Sequence, residues 1–564
     1  MPDGAIPTSE RSRLLHTWGP SALIVVVVVA LVAWVLTTEP IDVAGTTSST
    51  VSGADSVADM HLAAEVIPWD VAKAAGTTAS IDWGARCDTS TGKLAMPTLA
   101  GQCFAPFTGD NGGASSTGVT ATTIKVVAYQ TNPNDTMAAL VSGAAPGTTN
   151  ANANFETQQH YVEMLSKYFE LYGRRVDLVR FTGTGQITDP VSAAADAETI
   201  ARDLEPFAVI GGPLLTNAFA DTLASRKVLC FNCTPGQPSS FYAKRSPYVW
   251  DTGIGPEQSG RLLNEYLGRQ LKGRPASHAG DPAMVGRPRV FGSLHITLGP
   301  DTREIATILS EDLATYGVSY ATEVTFGSPL DIAAQGREMI TRLKEAGVTT
   351  VVYVGDAFSV ISLTKIATEQ AYFPEWVISG TSLVDTAVIP RLYDQQQWAH
   401  AFGLANIPVR RADGSNATID LYRWFFGTPP PQPGGSAALL FIPIVTLMSA
   451  IQLSGAALTP DRIRDVLFQS PVTSGLGSTT YGDRGIWPTT DFTGGDDVAM
   501  VWWDPAATGP DELGGNGNGL YRYVGGERRY LPKSMPTEEL PLFDPTAAVT
   551  EVSTAPLATY SPLR

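Results

Sequence analysis

The stretch Ala208–Pro238, AVIGGPLLTNAFADTLASRKVLCFNCTPGQP, decides the fold. It reads as strand, turn, helix, strand, turn. Ala208-Val209-Ile210 is a short apolar run closed by Gly211-Gly212-Pro213, the signature of a buried parallel strand. Thr216 can cap the next element, because its hydroxyl can accept from a free N–H of the first helical turn. Ala218, Phe219, Leu223 and Ala224 then give a helical apolar face. Val228 to Phe231 is the next strand, and Asn232 to Pro238 a second turn. Both turns follow strand C-terminal ends, where open α/β sheets place their ligand sites. A hydroxyl and free N–H groups there suit a small polar or anionic group.

The same alternation extends in both directions. Upstream, Thr123 to Tyr129 is a β-branched strand, Phe155 to Tyr172 a helix ended by Gly173, and Val176 to Phe181 a second strand. Asp189-Pro190 opens a helix to Asp203, with proline at the favoured first position. Downstream come a strand at Tyr248–Asp251 and a helix at Pro256–Lys272. Strands at Val290–Leu294, Tyr320–Phe326, Val348–Val354 and Trp376–Ser379 follow, separated by helices at Thr302–Tyr316, Ile332–Ala346 and Phe358–Gln370. Strand and helix at this spacing mean βαβ units on parallel sheets. Two such runs, about 122–252 and 254–385, are too many strands for one ordinary open sheet, so two lobes are expected.

Further on, Ala437 to Leu453 is strongly apolar but contains Pro443 and Gln452, so it reads as a buried helix. Thr459-Pro460-Asp461 caps a helix to Phe468, and Val498 to Trp503 is a strand. The expected division is residues 1–38 as cytoplasmic stub and transmembrane anchor and 39–119 as tether and extension. Lobe one is 120–252, completed by about 402–490. Lobe two is 253–401, completed by about 491–505. Residues 506–564 are expected to be a loosely ordered tail.

Residues 21–38, SALIVVVVVALVAWVLTT, carry no charge and approach the span of a bilayer core. Arg11, Arg13 and His16 before them, with Glu39 and Asp42 after, put the N-terminus inside and the main domain outside. The alternative is a cleaved signal peptide, but no A-x-A site follows and no cysteine could take a lipid. The net charge of −17 and the lack of a Lys/Arg cluster argue against a nucleic-acid partner. The four cysteines suit an oxidising compartment and allow three pairings. The most local set joins Cys87 to Cys103 and Cys230 to Cys233. Cys230-x-x-Cys233 also has redox or half-zinc spacing, but no second such pair and no paired histidine ligands exist, so neither metal nor cofactor is expected.

The order of elements over roughly residues 118–505 resembles the type I periplasmic binding proteins, specifically the leucine/isoleucine/valine-binding class that serves ABC importers. The resemblance rests on Gly118-Val119-Thr120 with Thr123-Ile124-Lys125-Val126, on Gly211 to Thr216, and on the Cys230–Gln237 turn. It rests also on Tyr248-Val249-Trp250-Asp251-Thr252, Val351-Val352-Tyr353-Val354-Gly355 and Tyr481-Gly482-Asp483-Arg484-Gly485. It implies two doubly wound lobes joined by a hinge, closing on a ligand between them. It implies lobe-one ligand residues Leu214, Leu215, Thr216, Cys233 and Thr234, and lobe-two residues Asp356, Phe358, Thr381 and Ser382. Thr131 and Asn132, in the polar loop after the first strand, should line the same mouth. Leucines stand at 214 and 215 where small hydroxyl residues are usual, and Thr381-Ser382-Leu383 stands where an acid is common. Thr216 and Asp356 are equally well placed as helix caps.

The resemblance implies a membrane-tethered extracytoplasmic solute-binding protein. Its ligand would be an amino acid, amide or small organic acid, and its partner an ABC transporter permease. The alternative is the outer sensing domain of a signalling complex. An enzyme is not expected: no G-x-S-x-G, H-E-x-x-H or Walker-type loop occurs.

Overall fold

Thr123–Gln130 forms strand β1, its β-branched start leading into a fully buried second half. The computed structural model describes residues 56–564 apart from 137–149, 298–299, 328–330, 413–414, 433, 472, 475–482, 485–490, 513, 527 and 554–555. The apolar segment 21–38 and most of the Tyr481–Gly485 turn lie outside the described residues. β1 pairs in parallel with β2 (Arg175–Thr182) on one side and β3 (Ala208–Ile210) on the other. β4 (Leu229–Phe231) and β5 (Val249–Trp250) complete a five-stranded parallel sheet in the order β2-β1-β3-β4-β5. β3 and β4 are buried throughout, whereas the edge strand β2 alternates, as its position requires.

The helices on this sheet are α1 (Ala151–Ser166), α2 (Pro190–Thr199), α3 (Ala218–Ser225) and the short α4 (Ser239–Ala243). α1 starts and stops earlier than its apolar pattern predicts. Asn150 accepts from the Asn152 and Ala153 amides and sets the start, while Tyr168, Phe169 and Tyr172 pack from the turn beyond its end.

α5 (Pro256–Tyr266) begins the second half. β6 (Phe291–Ile296), β7 (Thr322–Phe326), β8 (Thr350–Val354) and β9 (Glu375–Ile378) alternate with α6 (Pro300–Thr315), α7 (Ile332–Glu345) and α8 (Ala357–Glu369). A fifth parallel strand, β10 (Ala401–Ala405), was not foreseen and belongs to this sheet, so the first half resumes only after it. The parallel part runs β7-β6-β8-β9-β10, the same order as the first sheet. Along β8, Val351 and Tyr353 enter one apolar core and Val352 the other, as the two-residue period of a strand with both faces covered demands.

The chain then returns to the first half with α9 (Ala417–Phe426), α10 (Gly434–Ser454) and α11 (Pro460–Gln469). α10 is the apolar helix read from the sequence. Phe441, Ile444, Leu447, Met448 and Ile451 are buried in the core that holds Tyr161 and Leu165 of α1, with Phe441 edge-on to Tyr161 at 5.0 Å. It is long and apolar enough to cross a membrane, yet most of it is buried in protein.

Two expectations are corrected here. The second sheet is mixed, because β11 (Ala499–Pro510), β12 (Asn516–Val524) and β13 (Ala548–Val549) add antiparallel strands beside β10. The tail from 506 onward is not loose. It supplies those strands, and Lys533 and Met535 donate backbone N–H groups to the Glu265 carboxylate of α5. Tyr530, Met535 and Ala548 are buried in the second half's core. Glu551–Val552 then pairs in parallel with Arg410–Arg411, and Tyr560 and Leu563 reach Trp424 and Tyr168 of the first half. Upstream, the 56–119 extension lies on the first half. Leu94, Met96 and Phe104 enter its core, and Arg86 forms an ion pair with Glu170 at 2.7 Å. The Cys87–Cys103 disulfide staples this extension.

Candidate functional site

In each sheet the strand order reverses between the first and third strands. That places a switch point at the C-terminal ends of β1 and β3, and another at β6 and β8. The predicted ligand turns lie after β3, β4, β8 and β9, so two of the four flank these switch points directly.

The two first-half turns are in contact. A side-chain carbon on Gly212 would come within 2.8 Å of the Cys233 carbonyl, so only glycine permits this approach. Gly211 takes φ 78°, a left-handed turn that glycine adopts without strain. Thr234 is buried and its hydroxyl donates to Asn217 Oδ1 at 2.9 Å. Asn217 in turn donates to Gln237 Oε1 at 3.3 Å. Thr216 is half-buried, and its hydroxyl accepts from the Ala218 amide at 3.3 Å, the capping role its position allowed. Cys233 is fully buried and bonded to Cys230, so it braces the turn and offers no free thiol. What these turns leave exposed is apolar: Leu214 is 48 % exposed and Leu215 53 %.

After β1, Asn132 donates to the Thr184 carbonyl at 2.9 Å and accepts from the Asn134 amide, which fixes the start of that loop. Thr131 is half-buried beside it. The rest of the loop, 137–149, lies outside the described residues.

On the second half, Asp356 caps α8. Its carboxylate accepts from the Phe358 and Ser359 amides at 2.9 and 2.8 Å and from the Ser359 hydroxyl at 2.6 Å. Phe358 is half-buried against the core. Thr381 shares a hydrogen bond with Ser379 at 2.8 Å. Ser382 and Leu383 both take positive φ, 54° and 68°, and Leu383 is 42 % exposed. Among the described residues no hydrogen bond joins Thr216, Cys233 or Thr234 to Asp356, Phe358, Thr381 or Ser382. The structure sets Thr216 on one and Cys233 and Thr234 on the other of two touching first-half turns, and carries Asp356 with Phe358 and Thr381 with Ser382 on the loops after β8 and β9 of the other sheet.

Among the described residues three crossovers connect the halves, at about 251–255, 406–416 and 491–498. The first and third run side by side. The amides of Gly494 and Gly495 donate to the Gly253 carbonyl at 2.9 and 3.0 Å, and Ile254 bridges Gly495 in parallel. A carboxylate attends each crossover, buried at Asp251 and Asp385 and half-buried at Asp491, which sequence reasoning missed. Asp251 accepts from the Gly253 and Gly236 amides and from Tyr242. Asp385, in the loop after β9, accepts from the Asn406 and Ile407 amides at 2.7 and 3.0 Å. Asp491 accepts from the Thr493 amide and hydroxyl. Burial raises all three carboxyls, Asp385 and Asp491 to about 6. Asp385 depends on partners 21 and 22 residues away, and Asp251 on Gly236 and Tyr242 as well as the nearby Gly253, whereas Asp491 bonds Thr493 two residues on, a local turn pattern that the sequence does carry. His295 was also missed. It lies one residue before the end of β6, beside Val354 of β8, accompanied by the Ser293 hydroxyl at 3.2 Å, and burial lowers its pKa.

No family model matches the chain, and no curated protein matches it. Solved structures do. A solute-binding protein of an ABC transporter from R. palustris, in complex with 4-hydroxybenzoate, is 14 % identical with a TM-score of 0.50, covering 71 % of this chain and 97 % of its own. A second, from Rhodopseudomonas palustris HaA2 with p-hydroxybenzoic acid, is 13 % identical with a TM-score of 0.50, covering 74 % and 98 %. The branched-chain amino acid transporter substrate-binding protein LivJ from Streptococcus pneumoniae, with isoleucine, is 15 % identical with a TM-score of 0.46, covering 71 % and 99 %. A parallel sheet and a mixed one whose parallel parts share one strand order, the crossovers between them and the two neighbours at a TM-score of 0.50 agree: the chain has the fold of the type I periplasmic binding proteins.

Proposed function

We propose that this chain is an extracytoplasmic solute-binding protein, tethered to the membrane by residues 21–38, whose two lobes close on a small ligand for an ABC-type importer. The observation that carries this reading is the repeated 2-1-3-4-5 strand order, with ligand-type turns at both switch points and three crossovers between them. Thr131, Asn132, Leu214, Leu215, Thr216, Cys233 and Thr234 form one wall, and Asp356, Phe358, Thr381 and Ser382 the other. Cys233 and Thr234 contribute through the shape of their turn.

The chemistry of the turns narrows the ligand. The hydroxyls of Thr216, Thr234 and Thr381 already have partners, and the Asp356 carboxylate is filled by its own helix. The exposed side chains at the turns include Leu214, Leu215 and Leu383. An acid with an apolar body, aromatic or branched, fits this surface better than a compact polar amino acid. The neighbours bound to hydroxybenzoates and isoleucine are consistent with that class.

A thermal-shift panel of amino acids, amides, short acids and hydroxybenzoic acids tests the reading. A ligand at a hundred times its Kd stabilises the folded state by about 2.7 kcal/mol. An apolar-bodied acid should raise the midpoint most. A panel without any response would sink the proposal.

A further inference from the structure

We propose that residues 529–564 act as a strap that limits how far the two halves open, and so regulates access to the site; the regulatory part rests on the solute-binding reading above. The strap leaves the second half, where Phe543 packs against Phe402 and Trp502. It then grips the crossovers. Arg529 donates from Nη2 to the Asn406 carbonyl at 2.9 Å and from Nε to Asp497 Oδ1 at 2.9 Å, joining the second crossover to the third. Glu551–Val552 adds a parallel ladder to Arg410–Arg411 on the second crossover.

Beyond that ladder the strap docks on the first half. Trp424 Nε1 donates to the Tyr560 carbonyl at 2.7 Å, and the Tyr560 hydroxyl donates to Asp88 Oδ2 of the disulfide-stapled extension at 2.8 Å. The Leu563 amide donates to the Tyr168 hydroxyl at 3.0 Å, and the Leu563 side chain packs on the first half's core. Arg564 donates to the Phe425 carbonyl at 2.8 Å and lies over the Phe425 ring.

The molecule thus has a fourth connection between its halves besides the three crossovers. Three adjacent crossovers permit bending about their common line. A link with one end on the second half's sheet, at Val549 of β13, and the other on the first half restricts that bending by its length. Between Val549 and Tyr560 the chain spans no more than about 38 Å even when fully extended. Opening beyond that limit requires the 560–564 anchor to detach.

The test places spin labels on the full-length chain at Val191→Cys and Val285→Cys, exposed sites in the first and second halves. The four native cysteines are all in disulfides, so only these positions label. A protease site inserted after Ser553 lets the strap be cut after folding, which removes misfolding as an explanation. Electron-resonance distances without ligand should become longer and broader on cutting. An uncut variant carrying Tyr560→Ala and Arg564→Ala should change in the same direction by less. Unchanged distances on cutting would overturn the strap. Adding the amino-acid and hydroxybenzoic-acid panel separates the two ideas. A ligand that shortens the distance while cutting has no effect removes the strap and keeps the binding reading. Widening on cutting with no response to the panel keeps the strap and removes the binding reading.

Discussion

At the residue scale, the helix caps and the buried carboxylates behave differently. Asp356 satisfies two backbone donors and a hydroxyl, so Asp356→Ala should lower stability by about 1–2 kcal/mol in urea titration. Thr216→Ala separates its two roles. If Thr216 only caps α3, stability falls by about 0.5–1 kcal/mol and affinity holds. If it also meets a charged ligand, calorimetry will show a loss of about 1.5–3 kcal/mol. Asp385 carries a pH signature. Its carboxyl sits at about 6 in the folded protein against 3.8 for the free group, so the folded state holds the proton more tightly. The stability this contributes is complete below about pH 4 and is lost as pH rises through 6, up to about 3 kcal/mol for two pH units. Asp385→Asn should shrink the difference in urea midpoint between pH 4.5 and pH 7; an unchanged difference would remove Asp385 as the cause. Asp356 was legible because its partners are two and three residues away. Asp385 was not, because its partners at 406 and 407 follow only after another strand has been added.

At the scale of elements, local rules located most strands and helices, and failed where a residue answers to a distant neighbour. β10 is Ala-Phe-Gly-Leu-Ala, a weak strand pattern by itself. Gly403 sits there with φ 144°, and a side-chain carbon would lie 2.3 Å from the Ile378 carbonyl of β9. Only the finished sheet explains that glycine. β9 is anchored by a buried ion pair: Arg289 donates from Nε and Nη2 to Glu375 at 2.7 and 3.0 Å, and the Thr350 hydroxyl adds a third bond at 2.6 Å. Glu375→Ala would strand the guanidinium in the core, and should cost about 3–5 kcal/mol by urea titration. The extension offers a contrasting case. Its cysteines are sixteen residues apart and their pairing was the most local available. Replacing both Cys87 and Cys103 by serine should cost roughly 3 kcal/mol, seen as a lower melting midpoint with the rest of the molecule intact.

At the scale of the whole molecule, the two-sheet plan was legible from the spacing of the apolar runs, whereas the tail was not. Its Pro- and Thr-rich composition suggests disorder, yet Glu265, Gln270 and Trp424 supply partners for its backbone that no window of the tail itself contains. Removing residues 1–40 should leave a protein that stays in the supernatant after high-speed centrifugation, and retention of the truncated chain in the membrane pellet would refute the anchor. The interleaving of the halves has a consequence for synthesis. The first sheet is finished by Trp250, but the helices that cover its core, α9 to α11, come only at 417–469, after the parallel strands of the second half. Neither half is a continuous segment, so the nascent chain cannot complete one before starting the other. For a long stretch of translation, Tyr161, Met164 and Leu165 have no cover, and when α10 emerges it is the most apolar described helix, with nothing yet folded around it. A chain stopped after Ala405 should therefore be digested quickly by protease and held by chaperones. The full chain should gain its resistance late and in one step, when α10 meets α1.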